Sequence, residues 1–317
     1  MKITVLDGYA LNPGDLSWDA FDQLGQCTIH DRVSEDAILE TAKGADALLT
    51  NKTPLSESVI KALPDLKYIG VLATGYNVVD VDAARERGIP VTNVPSYGPE
   101  SVAQMAIAHV FNFSRQVAHH ASAVRNFRWA RNQDWCFWDF PQIELTSKTF
   151  GVVGLGTIGL ATAKLAQALG MKVIANRKSD APMPEGIERV SLDRIFSESD
   201  FISLHCPLTP ENEKMVNAER LEQMKPTAFL INTSRGQLID EDALYQALKE
   251  CQIAGAGLDV LTKEPPEADN PLFTLENCHI TPHIAWATQA ARSRLMNTAF
   301  ENLSSWANGS PKNVVNP

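Results

Sequence analysis

Apolar positions in the first hundred residues fall in short runs, separated by polar stretches with a helical period. The runs at 3–7, 27–30, 47–50, 68–72 and 91–93 read as strands. Helical patterns lie between them at 15–24, 35–43, 56–63 and 80–87, with Ser34 and Ser56 standing as N-caps. Strands alternating with helices over short connections predict a parallel α/β sheet. From Pro99 the pattern changes. Val102, Met105, Ala106, Ala108, Val110 and Phe113 share a helical period that predicts one long helix toward Trp129, with no proline inside. A second α/β series follows. Its strands are predicted at 152–154, 172–175, 201–205, 228–232, 253–258 and 279–281, and its helices at 157–169, 192–197, 218–223 and 241–249. A last helix at 288–306 stops at Asn308-Gly309-Ser310-Pro311. No repeat of 20–50 residues and no low-complexity tract interrupts this order.

The stretch 149–176 organises the second series. An apolar strand leads into Gly154, Gly156 and Gly159, which spell G-x-G-x-x-G, and a helix and a second strand follow. That context is the one a dinucleotide fingerprint requires. The first glycine allows the tight turn and the second lets backbone approach a pyrophosphate. The third lets helix and strand pack closely, and the helix N-terminus offers N–H groups to the phosphates. A tight βα turn that merely uses glycine is the plainer alternative, and the complete strand–turn–helix–strand unit weighs against it.

A chain of 317 residues has room for two domains with sizeable cores. Its 44% hydrophobic and 21% charged content is that of a globular protein. A net charge of −10 argues against a basic nucleic-acid surface, without excluding an anionic substrate gripped by a few placed arginines. The five cysteines are scattered, without C-x-x-C or metal-ligand spacing, which fits reduced thiols in a cytosol. The apolar run at the N-terminus is too short for a signal-peptide core, and no window approaches 18 apolar residues. The expectation is a cytoplasmic protein with no membrane or nucleic-acid partner.

Three segments at predicted strand ends carry candidate chemistry, where ligands of open α/β sheets bind. Arg235, between a strand end and Gly236, is placed to grip a carboxylate bidentately; alternatively it caps a surface turn. Glu264 sits in a loop stiffened by Pro265 and Pro266; alternatively it is a solvated loop carboxylate. His283 follows a strand and Pro282; alternatively it is a helix-start histidine. Together the three read differently. A histidine held by a carboxylate is a general acid/base, and the pairing favours the imidazolium that would protonate a ketone oxygen. The aromatic loop at 134–141, DWCFWDFP, is either a staple to its own domain or a subunit contact.

Six segments resemble the D-isomer-specific 2-hydroxyacid dehydrogenase family, in the family's order. They are ATGYN at 73–77, the glycine fingerprint, LHCPLTPE at 204–211, NTSRG at 232–236, GLDVLTKEPP at 257–266 and TPHIAWAT at 281–288. The aromatic loop and HIAWAT are most similar to the glycerate dehydrogenase, or hydroxypyruvate reductase, branch. The resemblance implies two Rossmann-like α/β domains with doubly wound parallel sheets. The substrate domain would be discontinuous, 1–97 with 287–317, around a dinucleotide-binding domain at 98–286. It implies reduction of hydroxypyruvate and glyoxylate by NAD(P)H. Arg235 would bind the substrate carboxylate and polarise the keto group, His283 would exchange the proton, and Glu264 would hold His283. Thr74 and Gly75 would offer N–H groups to the same carboxylate. Gly154, Gly156, Thr157, Ile158, Gly159, His205, Cys206, Pro207, Thr233 and Asp259 would lie along the cofactor. A homodimer is implied, with the long helix and aromatic loop crossing to the partner; the aromatic density of that loop, just before the fingerprint strand, adds the expectation that one of its aromatics, Trp138 first, reaches the partner's cleft.

The sequence departs from the family pattern twice. Gln104 replaces the usual glutamate after Ser-Val-Ala. Asn176-Arg177-Lys178 stands where an acidic residue usually reads the ribose, and Asp180 lies four residues past the strand end. Loss of that acid removes its repulsion of a 2′-phosphate, so NADP(H) is expected, alone or beside NAD(H). A phosphoglycerate dehydrogenase is a weaker reading, because the chain ends at Pro317 without the regulatory domain many of those carry. Formate dehydrogenase is disfavoured by the retained acid–histidine pair. From another class, a nucleotide-sensing corepressor-like binding protein is the rival.

Overall fold

Two all-parallel sheets organise the computed structural model, which describes the whole chain, Met1–Pro317. The chain divides into two compact units, Met1–Gly98 with Ala287–Pro317, and Pro99–Trp286. No helix is long and apolar enough to cross a membrane.

In the first unit the strands are β1 (Lys2–Val5), β2 (Gln26–Ile29), β3 (Ala47–Thr50), β4 (Tyr68–Val71) and β5 (Val91–Thr92). They pair in the order β2-β1-β3-β4-β5. Strands β3 and β4 are buried at every position, as expected where helices cover both faces of a parallel sheet. The helices are α1 (Asp19–Asp22), α2 (Ile38–Thr41), α3 (Glu57–Ala62) and α4 (Val81–Glu86). Two are shorter than their periodicity predicts. Only four residues of the predicted helix at 15–24 are helical. The one at 35–43 opens as a 3-10 turn, Glu35–Ala37, and Ser34 makes no capping bond. Ser56 does cap α3, accepting the Val59 amide at 3.4 Å. The C-terminal helix Gln289–Ala307 belongs to this unit. Trp306 packs on Tyr68 with ring centroids 4.9 Å apart. Arg292, 7% exposed, forks onto both carboxylate oxygens of Asp15 at 2.7 and 2.6 Å.

The second unit opens with α5 (Pro99–Arg115) and α6 (Val117–Arg125). The sequence predicts one helix here, but it breaks at Gln116, whose φ is +49°. The Ser114 carbonyl accepts the Ile143 amide at 3.0 Å, so a returning segment seals the end of α5. The strands are β6 (Thr149–Val153), β7 (Lys172–Asn176), β8 (Ile187–Arg189), β9 (Phe201–Leu204), β10 (Phe229–Asn232), β11 (Gly255–Leu258) and β12 (Cys278–Ile280). Between them run α7 (Thr157–Ala168), α8 (Leu192–Glu198), α9 (Ala218–Gln223) and α10 (Glu241–Lys249). The order β12-β11-β10-β9-β6-β7-β8 is doubly wound, and its direction reverses between β6 and β9. A crevice at such a switch point is where dinucleotides bind. Edge strand β8 escapes the sequence reading because only Ile187 of its three residues is buried. Helix α5 lies over the other half of the sheet. There Phe113 stacks on Phe229 at 4.7 Å, and Gly257 leaves room for His109.

Candidate active site

Strands β10, β11 and β12 end level with one another. Asn232 pairs with Leu258, and Leu258 with Ile280. Three loops therefore leave one edge side by side, starting at Thr233, Asp259 and Thr281. Buried Asn232 builds the first loop. Its Oδ1 accepts the Ser234 amide at 3.0 Å and its Nδ2 donates to the Arg235 carbonyl at 2.8 Å. That turn sends the Arg235 side chain outward, where Nη1 donates to the Ser234 carbonyl at 2.7 Å. The next residue must be glycine. A Cβ on Gly236 would lie 2.0 Å from the Leu261 carbonyl carbon and 2.3 Å from the Thr262 nitrogen. The Arg235 loop is thus pressed against the backbone of the loop that carries Glu264.

Glu264 divides its two oxygens. Oε1 accepts the Leu261 amide at 3.0 Å, and Oε2 lies 2.6 Å from His283 Nδ1. His283 Nε2 makes no hydrogen bond within the chain. The backbone at His283 is left-handed, with φ +54°, and its amide donates to the Thr281 carbonyl at 2.9 Å. Such a conformation costs a non-glycine residue about 1–3 kcal/mol unless its surroundings fix it. Asp259, 1% exposed, does the fixing. Its Oδ1 accepts the Thr281 hydroxyl at 2.6 Å and the Ile284 amide at 3.0 Å, and its Oδ2 accepts the Ala285 amide at 2.8 Å. Trp286 Nε1 donates to the His283 carbonyl at 2.9 Å, and Ser101 Oγ of α5 to the Ala285 carbonyl at 2.6 Å. The loop of His283 is thereby held from both sides of the histidine.

The other sequence-predicted residues line the same edge of the sheet. Gly154 turns with φ +93°, and a Cβ there would meet the Cys206 nitrogen at 2.6 Å. The turn after β6 thus packs on the loop after β9 at the switch point. A Cβ on Gly159 would strike the Gly154 carbonyl at 2.1 Å, but one on Gly156 would meet nothing within 4 Å. Close packing explains the first and third glycines, whereas Gly156 opens on free space beside Thr157 and Ile158 at the start of α7. The hydroxyl of Thr233 is buried with no partner, an orphan that a bound group would satisfy. His205 Nε2 lies 2.9 Å from the Ser203 hydroxyl, and burial pushes the imidazole down to about 4, so it is neutral near pH 7. Cys206 and Pro207 follow it, with the Cys206 carbonyl accepting the Ser234 hydroxyl at 2.7 Å. These groups fit a dinucleotide.

The Asn176-Arg177-Lys178 segment separates into three surroundings. Asn176 Nδ2 is bound to the Val190 carbonyl at 3.0 Å. Arg177 lines, with Gly156, Thr157 and Gln104, a cavity of about 720 Å³. Burial raises the Cys206 thiol, and the charge of Lys178 offsets only part of that rise. Asp180 is fully exposed.

Thr74 and Gly75 follow β4 in the first unit. Thr74 Oγ1 donates to the Val94 carbonyl at 2.9 Å, and neither backbone amide has an acceptor. The aromatic loop at 134–141 is neither buried nor loose. The Asp139 carboxylate accepts from Arg128 and lies 2.6 Å from His119 Nε2, and those hydrogen bonds, the one from Arg128 foremost, hold it down to about 2. Trp129 Nε1 donates to the Trp135 carbonyl at 2.9 Å. Trp135 and Trp138 are nevertheless 86% and 65% exposed.

Residues 107–285 match the family described as D-isomer specific 2-hydroxyacid dehydrogenase, NAD binding domain. A hydroxypyruvate reductase of Blautia hydrogenotrophica is 50% identical over 321 residues, covering all of both chains. A glycerate dehydrogenase of Methylorubrum extorquens is 41% identical over 282 residues, 88% of each chain. Among solved structures, an acyclic imino acid reductase in complex with NADPH and D-Arg superposes with a TM-score of 0.86 at 33% identity, over 99% of this chain and 100% of that one. Full-length identity at this level, on a doubly wound fold with the fingerprint at its switch point, leaves one assignment: the chain belongs to the D-isomer specific 2-hydroxyacid dehydrogenase family.

Proposed function

We propose that the chain reduces hydroxypyruvate, and glyoxylate beside it, to the D-2-hydroxy acid. The observation that carries the reading is the His283–Glu264 pair, 2.6 Å apart at Nδ1 with Nε2 left open. A carboxylate on Nδ1 fixes the tautomer and orientation, so Nε2 is the nitrogen that exchanges a proton with the substrate oxygen. Arg235 is the carboxylate binder, on a turn that Asn232 makes rigid. Thr74 and Gly75 are the further N–H donors the resemblance implies, and their amides lack acceptors in their own unit. When bound, the reduced nicotinamide supplies the hydride. The names of the relatives, hydroxypyruvate reductase and glycerate dehydrogenase, support the substrate class. Steady-state turnover of NADH and NADPH with a panel of 2-keto acids tests the reading. Hydroxypyruvate should give the highest kcat/KM. No turnover with any of them would favour the corepressor-like binding protein instead.

NADP(H) is the cofactor we read from the β7 end, accepted alone or beside NAD(H). No carboxylate stands at the strand end, Arg177 lines the cavity beside Gly156, and a 33% identical relative is solved with NADPH. The Asn176→Asp variant should lower kcat/KM for NADPH selectively, because a carboxylate there repels a 2′-phosphate and accepts a ribose hydroxyl. A wild type that strongly prefers NADH would refute the assignment.

The enzyme is further read as a cytosolic homodimer. Five unpaired thiols support the compartment. Two exposed tryptophans on a loop fixed by Asp139 support the contact, since tryptophan concentrates at interface cores. Sedimentation at micromolar concentration should give a dimer, and Trp138→Ala should reduce kcat/KM. A fully active monomer would overturn both the dimer and the role of Trp138.

A further inference from the structure

The loop between β7 and β8, residues 177–186, contains Pro182 and Pro184 and belongs to no helix or strand. Its shape is set by two guanidinium groups. Arg189, at the end of edge strand β8, donates from Nη2 to the carbonyls of Ser179 at 2.9 Å and Ala181 at 2.7 Å. Arg177 donates from Nε to the Ser179 hydroxyl at 2.6 Å and from Nη1 to the Pro182 carbonyl at 3.5 Å. Ser179 joins them, held through its carbonyl by Arg189 and holding Arg177 through its hydroxyl. Arg189 stands opposite Ala175 in the ladder, one residue short of the end of β7.

We propose that Arg189 is a positioning residue for cofactor selection: it fixes the Ser179–Ala181 backbone so that Ser179 Oγ presents the Arg177 guanidinium to a 2′-phosphate. The proposal rests on the NADP(H) reading above. A free arginine carries about 2 kcal/mol of rotamer entropy, lost when it clamps an anion. An arginine already held by a fixed hydroxyl loses less on binding, which is the general gain from preorganisation. Strand β8 does not depend on this side chain. It is held by its ladder to β7 and by Ile187, and Val190 beyond it is 6% exposed. The charged groups around Arg189 do not displace it from the loop. Asp180 Oδ1 is 3.9 Å away from Nη1 and fully exposed, and Glu188 is engaged by Arg194 at 2.7 Å.

The test uses the full chain with Arg189→Met and Arg189→Lys. Binding of 2′,5′-ADP and of 5′-AMP is measured, with KM for NADPH, NADH and hydroxypyruvate and hydrogen exchange of the loop amides. Arg189→Met should reduce the preference for 2′,5′-ADP about tenfold, the worth of one or two hydrogen bonds. KM for NADH and for hydroxypyruvate should stay within about twofold of wild type, since the hydrogen bonds of Arg189 go to the Ser179 and Ala181 carbonyls and none to a residue that would hold the keto acid or the nicotinamide. Exchange in the loop should quicken, and Arg189→Lys should restore part of both effects. A wild type that strongly prefers 5′-AMP to 2′,5′-ADP refutes the NADP(H) reading itself. A wild type with the preference, kept in Arg189→Met, refutes the positioning role alone. So does a lost preference with unchanged loop exchange, which would mark Arg189 as acting through its charge.

Discussion

Replacing His283 with alanine should lower kcat by about 10²–10⁴-fold, the usual worth of a positioned general acid/base. The expectation follows from the open Nε2 and from the effort the fold makes to hold the ring. Glu264 fixes Nδ1, Asp259 ties down Thr281, Ile284 and Ala285 around the histidine, and Trp286 takes its carbonyl. None of these bonds except the one to Glu264 uses the His283 side chain, so the loop should survive its loss. The left-handed backbone at His283 gives a second variant. Asparagine tolerates that conformation better than alanine, so His283→Asn separates backbone strain from the missing imidazole. Both variants should bind cofactor normally and lose kcat together. Glu264→Gln should fall between them and wild type, because the amide oxygen can still accept from the ring while the charge is gone. A folded His283→Ala enzyme with near-wild-type kcat would remove this residue from the mechanism.

Most of this arrangement is legible in the sequence, and the parts that are not have a common physical reason. Alternating apolar runs and helical periods locate nearly every strand of both sheets, because buried parallel strands read as continuous apolar runs. The fingerprint gives the position of the switch point, and the three strand-end motifs give Arg235, Glu264 and His283. What the pattern misses is decided by single contacts from afar. Periodicity carries α5 through Gln116, but the Ile143 amide reaching Ser114 ends it. Strand β8 has one buried residue and so no period to find. Asn232 and Gly236 lie inside a motif already quoted, yet their tasks show only in three dimensions. An asparagine two residues before the turn is compatible with many loops, and the need for glycine arises from the Leu261 backbone, 25 residues on. The resemblance places Asp259 along the cofactor; its side-chain hydrogen bonds all go to the His283 loop.

Arg235→Lys is the second large effect expected. Lysine keeps the positive charge but loses the planar fork that meets a carboxylate with two parallel bonds. A hydrogen bond to a charged group is worth about 1.5–3 kcal/mol, so kcat/KM for the keto acid should fall about 10–150-fold. The loss should appear in both constants. KM rises because the carboxylate is bound less tightly, and kcat falls because the carbonyl is no longer held in line with His283. The substitution should leave the fold intact. The Arg235 side chain is exposed and its one internal bond runs to the neighbouring Ser234 carbonyl, while the turn itself is built by Asn232. Affinity for the dinucleotide, measured without keto acid, should stay near wild type, and that readout separates a substrate-binding role from a collapsed loop. Asn232→Ala supplies the complementary case. It keeps the guanidinium but frees the turn, so it should raise KM for the keto acid without removing the charge. If Arg235→Lys left both constants unchanged, Arg235 would be a turn residue, and the carboxylate would have to be held by other donors, with the amides of Thr74 and Gly75 the first to test.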